Sequence, residues 1–342
     1  ILGIGDGYLE YAKNDFTTEP WVFLTPETKA VFDKLSSDQT QSLKSLADIC
    51  VGLQTSKDPV YIFTPEEETE NTFIFNSNGK RKEIEKGICL PCIYDLSFGL
   101  FDTISPNAQM IFPYVIEDGK AKTISEEYFK ENYSLCWDYL NEHKEQLEKR
   151  SINGKDPKWY QFGRSQSLTR FHNSSKLIWH VLSTKPSYIL DEQNVQFTGG
   201  GNGPYYSLVN NSEYDILYFM GILSHPLFES MVKAGASEFR GAYYSHGKQF
   251  IENIPVRIID QADPDEVRLY KAIVKSVKDL IKTKGQYNEA YGARRVVFQR
   301  KLDMLNNTLV ESINTLYEIT AEEFNTVLHD EMFTNELTAE EE

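Results

Sequence analysis

The chain has 342 residues, with 35 Lys+Arg against 51 Asp+Glu and a formal net charge of −16. Hydrophobic residues make up 40% and Tyr and Phe number 20 each, which excludes a disordered chain and supplies a large core for about two domains. No apolar run approaches the roughly 18 residues of a transmembrane helix, and the acidic balance taken alone argues against a nucleic-acid binder.

In chain order, the pattern predicts an α+β protein. The opening ILGIGDGYLEYAKNDF has neither a charged n-region nor an apolar h-region, so no signal peptide is expected, and the missing initiator Met points to a fragment. Residues 1–20 read as a connecting tail and residues 21–24 as a short strand. Thr25 caps a helix that runs to Leu35 with Pro26 at its first position. Residues 43–63 give two apolar runs broken by Gly52 and by the turn Ser56–Pro59, a strand–loop–strand pattern. Glu66, Glu67, Glu68 and Glu70 form an acidic surface loop.

Residues 125–149 read as one long helix, capped by Ser125 and closed by Lys149 and Arg150. Short strands alternate with Gly, Pro, Asn and Ser over 151–212. Residues 213–232 have helical spacing with a break at Pro226. Pro264 starts a helix to about Thr283, and a second spans about 288–317. In the latter Leu302, Leu305, Leu309, Ile313 and Leu316 form a seam for another helix, most simply its neighbour in a helical hairpin. The end, TAEEE, is an acidic, frayed tail. Small mixed sheets followed by a C-terminal helical hairpin or bundle is the expected architecture.

The four cysteines are Cys50, Cys89, Cys92 and Cys136. Cys89-Leu-Pro-Cys92 has zinc or redox spacing, but no second Cys or His pair follows it and its surroundings read as an apolar strand. Packed, reduced thiols in a cytoplasmic protein are expected.

Positive charge is concentrated. Between Lys144 and Lys185 nine basic residues face three acidic ones, a net +6 in 42 residues that leaves −22 on the rest. Lys155, Lys158, Arg164 and Arg170 lie there among Trp159, Tyr160, Gln161 and Gln166. Guanidinium and amide groups can hold phosphates and read guanine or adenine edges. A weaker patch holds Arg240 and Lys248. The alternative is an ordinary solvated face.

Catalytic motifs are missing. Asn202-Gly203-Pro204-Tyr205 only superficially matches the Asn/Asp-Pro-Pro-Tyr/Phe loop of an adenine methyltransferase, since it lacks the first Pro and no strand–helix units of a nucleotide fold precede it. No strand fits before Gly3-Ile4-Gly5-Asp6-Gly7, and Glu142-His143-Lys144 sits mid-helix in this reading without a paired Asp. No HExxH, GxSxG or P-loop occurs, and the six His are scattered. No metal or catalytic residue is expected on this chain.

Several pieces in order carry a family resemblance: DPKWYQFGRSQSL, FTGGGNGPY, and YFMGILSHPLFESMVKAGASEFRGAYYSHGKQFIENIPV, preceded by LADICVGLQTSKDPVYIF. The chain resembles, from about Trp21 to Val327, the target-recognition region of type II restriction–modification adenine methyltransferases, the TaqI-like C-terminal specificity group. The resemblance implies a DNA recognition domain at 21–259 and a helical domain with an acidic tail at 260–342. It makes 1–20 the tail of a missing catalytic domain that binds S-adenosylmethionine and methylates adenine N6. Double-stranded DNA and that methyltransferase part, in the same chain or a separate subunit, are the implied partners. Nuclease activity of the parent stays open.

Matching positions give Trp159, Tyr160, Arg164, Ser165 and Gln166, then Tyr243, Tyr244 and Lys248, as candidate DNA contacts. Trp159 and Tyr160 have a core aromatic pair as the alternative reading, and Tyr243 and Tyr244 have strand packing. Gln54 and Thr55 are candidate groove contacts. Two other readings remain: a type I-like specificity subunit that assembles with a separate methyltransferase through the Leu302–Leu316 seam, and an acidic DNA mimic suggested by the −16.

Overall fold

The computed structural model describes residues 2–4, 7–9, 24–171, 175–199, 203–236, 238–239 and 242–330. Helix accounts for 41% and strand for 22%, the strands lying in small separate sheets, so the fold is α+β.

The centre is a four-stranded antiparallel sheet in the order Ile189–Asp191, Lys176–His180, Tyr205–Asn210, Ala47–Val51. Its strands obey the two-residue alternation of a sheet covered on both faces. Ala47, Ile49, Leu177, Trp179, Tyr206 and Leu208 point into the larger core with Leu217, Phe219 and Met220 of the helix Ile216–Leu223. Cys50, Ile178, Ile189 and Tyr205 point the other way, against Ile93, Ile104, Phe171, Val195 and Phe197. On that second face Lys176 is fully buried. Its ammonium pairs with Asp191 on the neighbouring strand and lies 5.0 Å from the Phe171 ring centre. Asp191 also accepts from the backbone of Gln193 and Val195. Burial lowers the Lys176 pKa, while Asp191 opposes that shift.

Behind Ile216–Leu223 stand the helices Pro264–Asn288 and Gly292–Leu316, an antiparallel hairpin. Asp263 caps the first through its carboxylate and Pro264 occupies N1. Leu309, Ile313 and Leu316 of the seam are buried with Ile273, Val277 and Leu280 in the same core as the sheet. Gly221 makes the close approach possible, because a Cβ there would lie 2.8 Å from Ile273 Cγ2 and 3.3 Å from Val277 Cγ2.

A second core, with Tyr61, Phe75, Met110, Phe129, Tyr139, Leu147, Tyr160 and Phe162, holds the lobe between the strands Ala47–Val51 and Lys176–His180. Here the structure corrects the sequence reading. The 125–149 helix is three helices, Glu126–Asn132, Ser134–Glu142 and Lys144–Glu148. Glu85 makes the first break, as its carboxylate accepts from the Leu135 and Cys136 amides at 2.8 and 3.0 Å. Glu142-His143-Lys144 therefore straddles a helix end, with Glu142 paired to Lys82. The loop over Ser56–Pro59 contains a short helix, Asp58–Tyr61, and Gly52 lies against Phe197 at a distance that leaves no room for a Cβ. The Pro264 helix runs to Asn288, past the expected Thr283. The strand at 21–24 falls largely outside the described residues.

All four thiols are free, and Cys89–Cys92 is a strand. Burial raises the pKa of each thiol. At pH 8 the native protein should therefore react slowly with a thiol reagent and release all four equivalents only on denaturation. Rapid modification of a native thiol would contradict this packing. Gly221→Val should lower stability by about 1–3 kcal/mol through overpacking against the hairpin, read by urea unfolding.

Candidate nucleic-acid interface

Two loops of the lobe face each other and are locked by backbone bonds. Gly163 N donates to Thr55 O and Arg164 N to Gln54 O, both at 3.2 Å. A Cβ on Gly163 would lie 2.0 Å from Ser56 Oγ, so only glycine permits this approach. The Gln54 amide donates to the Gln166 side-chain oxygen across the gap. Thr55 is buried, its hydroxyl donating to Asp58, whose other oxygen accepts from Thr198 at 2.9 Å. Ser167 Oγ fastens the second loop to Val51 O at 2.7 Å.

Arg150 fixes the pair from below. Nε donates to Leu147 O at 3.0 Å and Nη1 to Thr55 O at 2.5 Å. Nη2 reaches Tyr61 Oη at 3.0 Å, Trp159 O at 2.8 Å and Gln161 O at 2.9 Å. A planar guanidinium with five fixed donors suits such a cluster of carbonyls.

The nine basic residues of the positive segment thus divide by role. Arg150 holds carbonyls. Arg164 places Nη1 on Ser151 O, Asn153 Oδ1 and Gly163 O at 3.0–3.2 Å, leaving Nε and Nη2 without a partner among the described residues. Arg170 pairs with Asp48, Lys176 with Asp191, Lys144 with Glu148 and Lys149 with Glu145. Lys155, Lys158 and Lys185 are exposed and have no ion-pair partner among the described residues.

Trp159 is half-buried, 5.3 Å from the Trp137 ring centre. Tyr160 is fully buried, donating to Ile124 O at 2.8 Å, and so takes the core position. Ser165 and Gln166 are exposed. The structure therefore brings Gln54, Thr55, Arg164, Ser165 and Gln166 to one place. A cleft of about 470 Å³ opens beside them, lined by residues 53–59, Tyr94 and Gly199.

A second cleft of about 520 Å³ lies between Asp95–Gly99, His180, residues 182–187, Pro204, Tyr205 and Tyr243. Phe98 lies over His180 with ring centres 4.1 Å apart, and near-parallel to Tyr205 at 5.7 Å. Burial lowers the His180 pKa, which favours the neutral ring. Tyr243 stands 46% exposed at its edge, whereas Tyr244 is buried with Lys233 5.1 Å from its ring centre. Lys248 is exposed, 3.9 Å from Glu252, on the far side of the Tyr243–Ser245 strand in sequence. Arg240 lies outside the described residues.

Under this cleft Ser183 Oγ is 3.2 Å from His246 Nδ1, and His246 Nε2 is 3.1 Å from both oxygens of Glu229. The order serine–histidine–carboxylate has the form of an activated nucleophile. Its position gives it a bracing role: Trp179 Nε1 and the amide of His246 add bonds to the same knot, joining the helix Pro226–Gly235 to the sheet. The sequence reading missed the cleft aromatics Phe98, His180 and Tyr205 because three distant segments supply them. Among the described residues no group of three or more His, Cys, Asp or Glu could hold a metal ion, and no helix is long and apolar enough to cross a membrane.

No family model matches the chain. It is 26% identical over 326 residues to the type II restriction enzyme and methyltransferase RM.Eco57I of Escherichia coli. The alignment covers 90% of this chain and 32% of that protein, so the chain spans about a third of the length of its curated relative. The likeness links the chain to restriction–modification proteins.

Removing Arg150 leaves several carbonyls without donors. Arg150→Met should destabilise the protein by at least ~3 kcal/mol in urea unfolding, and Arg150→Lys should restore less than half of that. A loss under ~1 kcal/mol would remove Arg150 from this role.

Proposed function

We propose that this chain is the sequence-recognition region of a restriction–modification protein that methylates adenine N6. Residues 21–259 form the DNA-recognition domain in this reading, 260–342 a helical domain, and 1–20 the tail of the catalytic part. The observation that carries it is the match across 90% of this chain to 32% of a restriction enzyme and methyltransferase. The two locked loops, with exposed amides and cations beside an open cleft, are the kind of surface that duplex recognition needs.

Phosphate contacts fall to Lys155, Lys158 and the open nitrogens of Arg164, and base edges to the Gln54–Gln166 edge and Ser165. Tyr243 lines the second cleft, and Lys248 is an exposed cation on the helix that follows its strand. Thr55, Tyr160 and Tyr244 act from within by holding the loops and strands in place, and Arg170 acts at the surface through its ion pair with Asp48. Partners are double-stranded DNA and a methyltransferase part, in the same polypeptide or another subunit, in the cytoplasm. S-adenosylmethionine belongs to that part. The seam that favours a separate specificity subunit is occupied internally, at Leu309, Ile313 and Leu316, by the hairpin's own core.

Gel-shift titration against duplex DNA at several salt concentrations tests the reading. Lys155→Gln with Lys158→Gln should reduce the slope of log K against log salt by about 0.9 for each phosphate that is no longer neutralised. Arg164→Ala should weaken binding by roughly tenfold, the ~1–2 kcal/mol of one charged hydrogen-bonded contact. Unchanged binding in both variants would overturn the assignment of this face.

A further inference from the structure

The largest excess of positive charge lies outside the recognition lobe. Between Lys271 and Lys301 nine basic residues face only Asp279 and Glu289, a net +7 in 31 residues of a chain whose total is −16. This stretch includes the adjoining ends of Pro264–Asn288 and Gly292–Leu316. On the first helix Lys271, Lys275, Lys278 and Lys282 recur at spacings of 4, 3 and 4, and all four are exposed. That spacing places them on one helical stripe. It is about 16 Å long, a length over which a duplex carries roughly ten negative charges. On the second helix Arg294, Arg295, Arg300 and Lys301 are exposed. Arg295 lies 4.5 Å from the Tyr287 ring centre and Arg294 5.5 Å from that of Phe298.

An ordinary solvated helix face in this protein looks different. Exposed lysines on the other helices stand beside acids, as in Lys29–Asp33, Lys130–Glu126 and Lys248–Glu252, and on a strand Lys122 pairs with Glu117. In the hairpin segment only Lys275, with Asp279, and Lys284, with Asp102, form ion pairs among the described residues. The hairpin core does not require these cations, because its buried contacts are Ile273, Val277, Leu280, Leu309 and Ile313.

The segment also meets the candidate interface. Asn288 Nδ2 donates to Asp102 Oδ1 at 2.9 Å, and Lys284 Nζ is 3.8 Å from the same oxygen. The other oxygen of Asp102 accepts from Gly99 N at 2.7 Å, and Gly99 lines the aromatic cleft. The loop end of the hairpin is therefore fastened to the wall of that cleft.

We infer that the Lys271–Lys301 hairpin segment is a second, sequence-independent DNA site, which grips the phosphates of duplex running on from the recognition face. The inference rests on the DNA-recognition reading above but uses none of its residues. Its test is fluorescence anisotropy of the full chain with a labelled duplex of scrambled sequence over a salt series. Neutralising Lys278→Gln, Lys282→Gln and Arg300→Gln together should lower the salt slope by about two to three and weaken binding at least tenfold at low salt. A control that loses the same charge from paired surface positions, Lys29→Gln, Lys122→Gln and Lys130→Gln, should bind like the parent. Circular dichroism checks that helix content is kept.

If the hairpin variant binds as the control does, the inference is overturned. If it weakens while Lys155→Gln with Lys158→Gln and Arg164→Ala both change nothing, the hairpin site stands and the recognition face is lost. Failure of the unaltered chain to bind duplex overturns both.

Discussion

One guanidinium holds the candidate interface together. Arg150 donates to three backbone carbonyls of two loops and to the Tyr61 hydroxyl, and Tyr61 in turn donates to Tyr160 O at 3.0 Å. Without it, the chain from Ser151 to Phe162 would have to satisfy these carbonyls from solvent, and the close passage of Gly163 by Ser56 would have no support from below. A positive residue in a positive segment thus acts inward, and the exposed groups beside it owe their position to it. Preorganisation of this sort suits a surface that reads hydrogen-bond patterns, since a mobile amide would lose discrimination to entropy.

The layers behind this surface explain how the rest of the chain supports it. The sheet, the helix Ile216–Leu223 and the terminal hairpin share one continuous core. Gly221 brings the hairpin to contact distance, and Tyr317 extends the join by accepting from Arg257 N and donating to Pro255 O. The hairpin is accordingly coupled to the sheet through packed side chains, and to the cleft wall through Asp102.

Local rules make much of this legible. Thr25 with Pro26, and Pro264, mark helix starts that the structure contains, and the break read at Pro226 falls between two helices, because caps and proline act within a few residues. The seam at 302–316 is legible for the same reason. What cannot be read depends on partners far apart in sequence. Glu85 divides a helix 50 residues away, and Arg170 meets Asp48 across 122 positions. Charge counting locates a positive segment but does not tell a cation that holds carbonyls from one that faces solvent. Centred on a stretch rich in aromatics, it also passes over the more basic hairpin, which a sliding count of charge along the chain finds.

The two positive segments together carry +13, so the remaining residues carry −29. Where basic groups of a protein share a side, the charges add to an electric dipole. In the field of a polyanion a dipole experiences a torque before any contact forms. A molecule so arranged is turned with its basic side forward, which raises the share of encounters that begin in a usable orientation. Because the Debye length at physiological salt is only about 8 Å, this turning acts over the last nanometre of approach. The surplus of acid would then set the angle of arrival, while the cations hold what arrives.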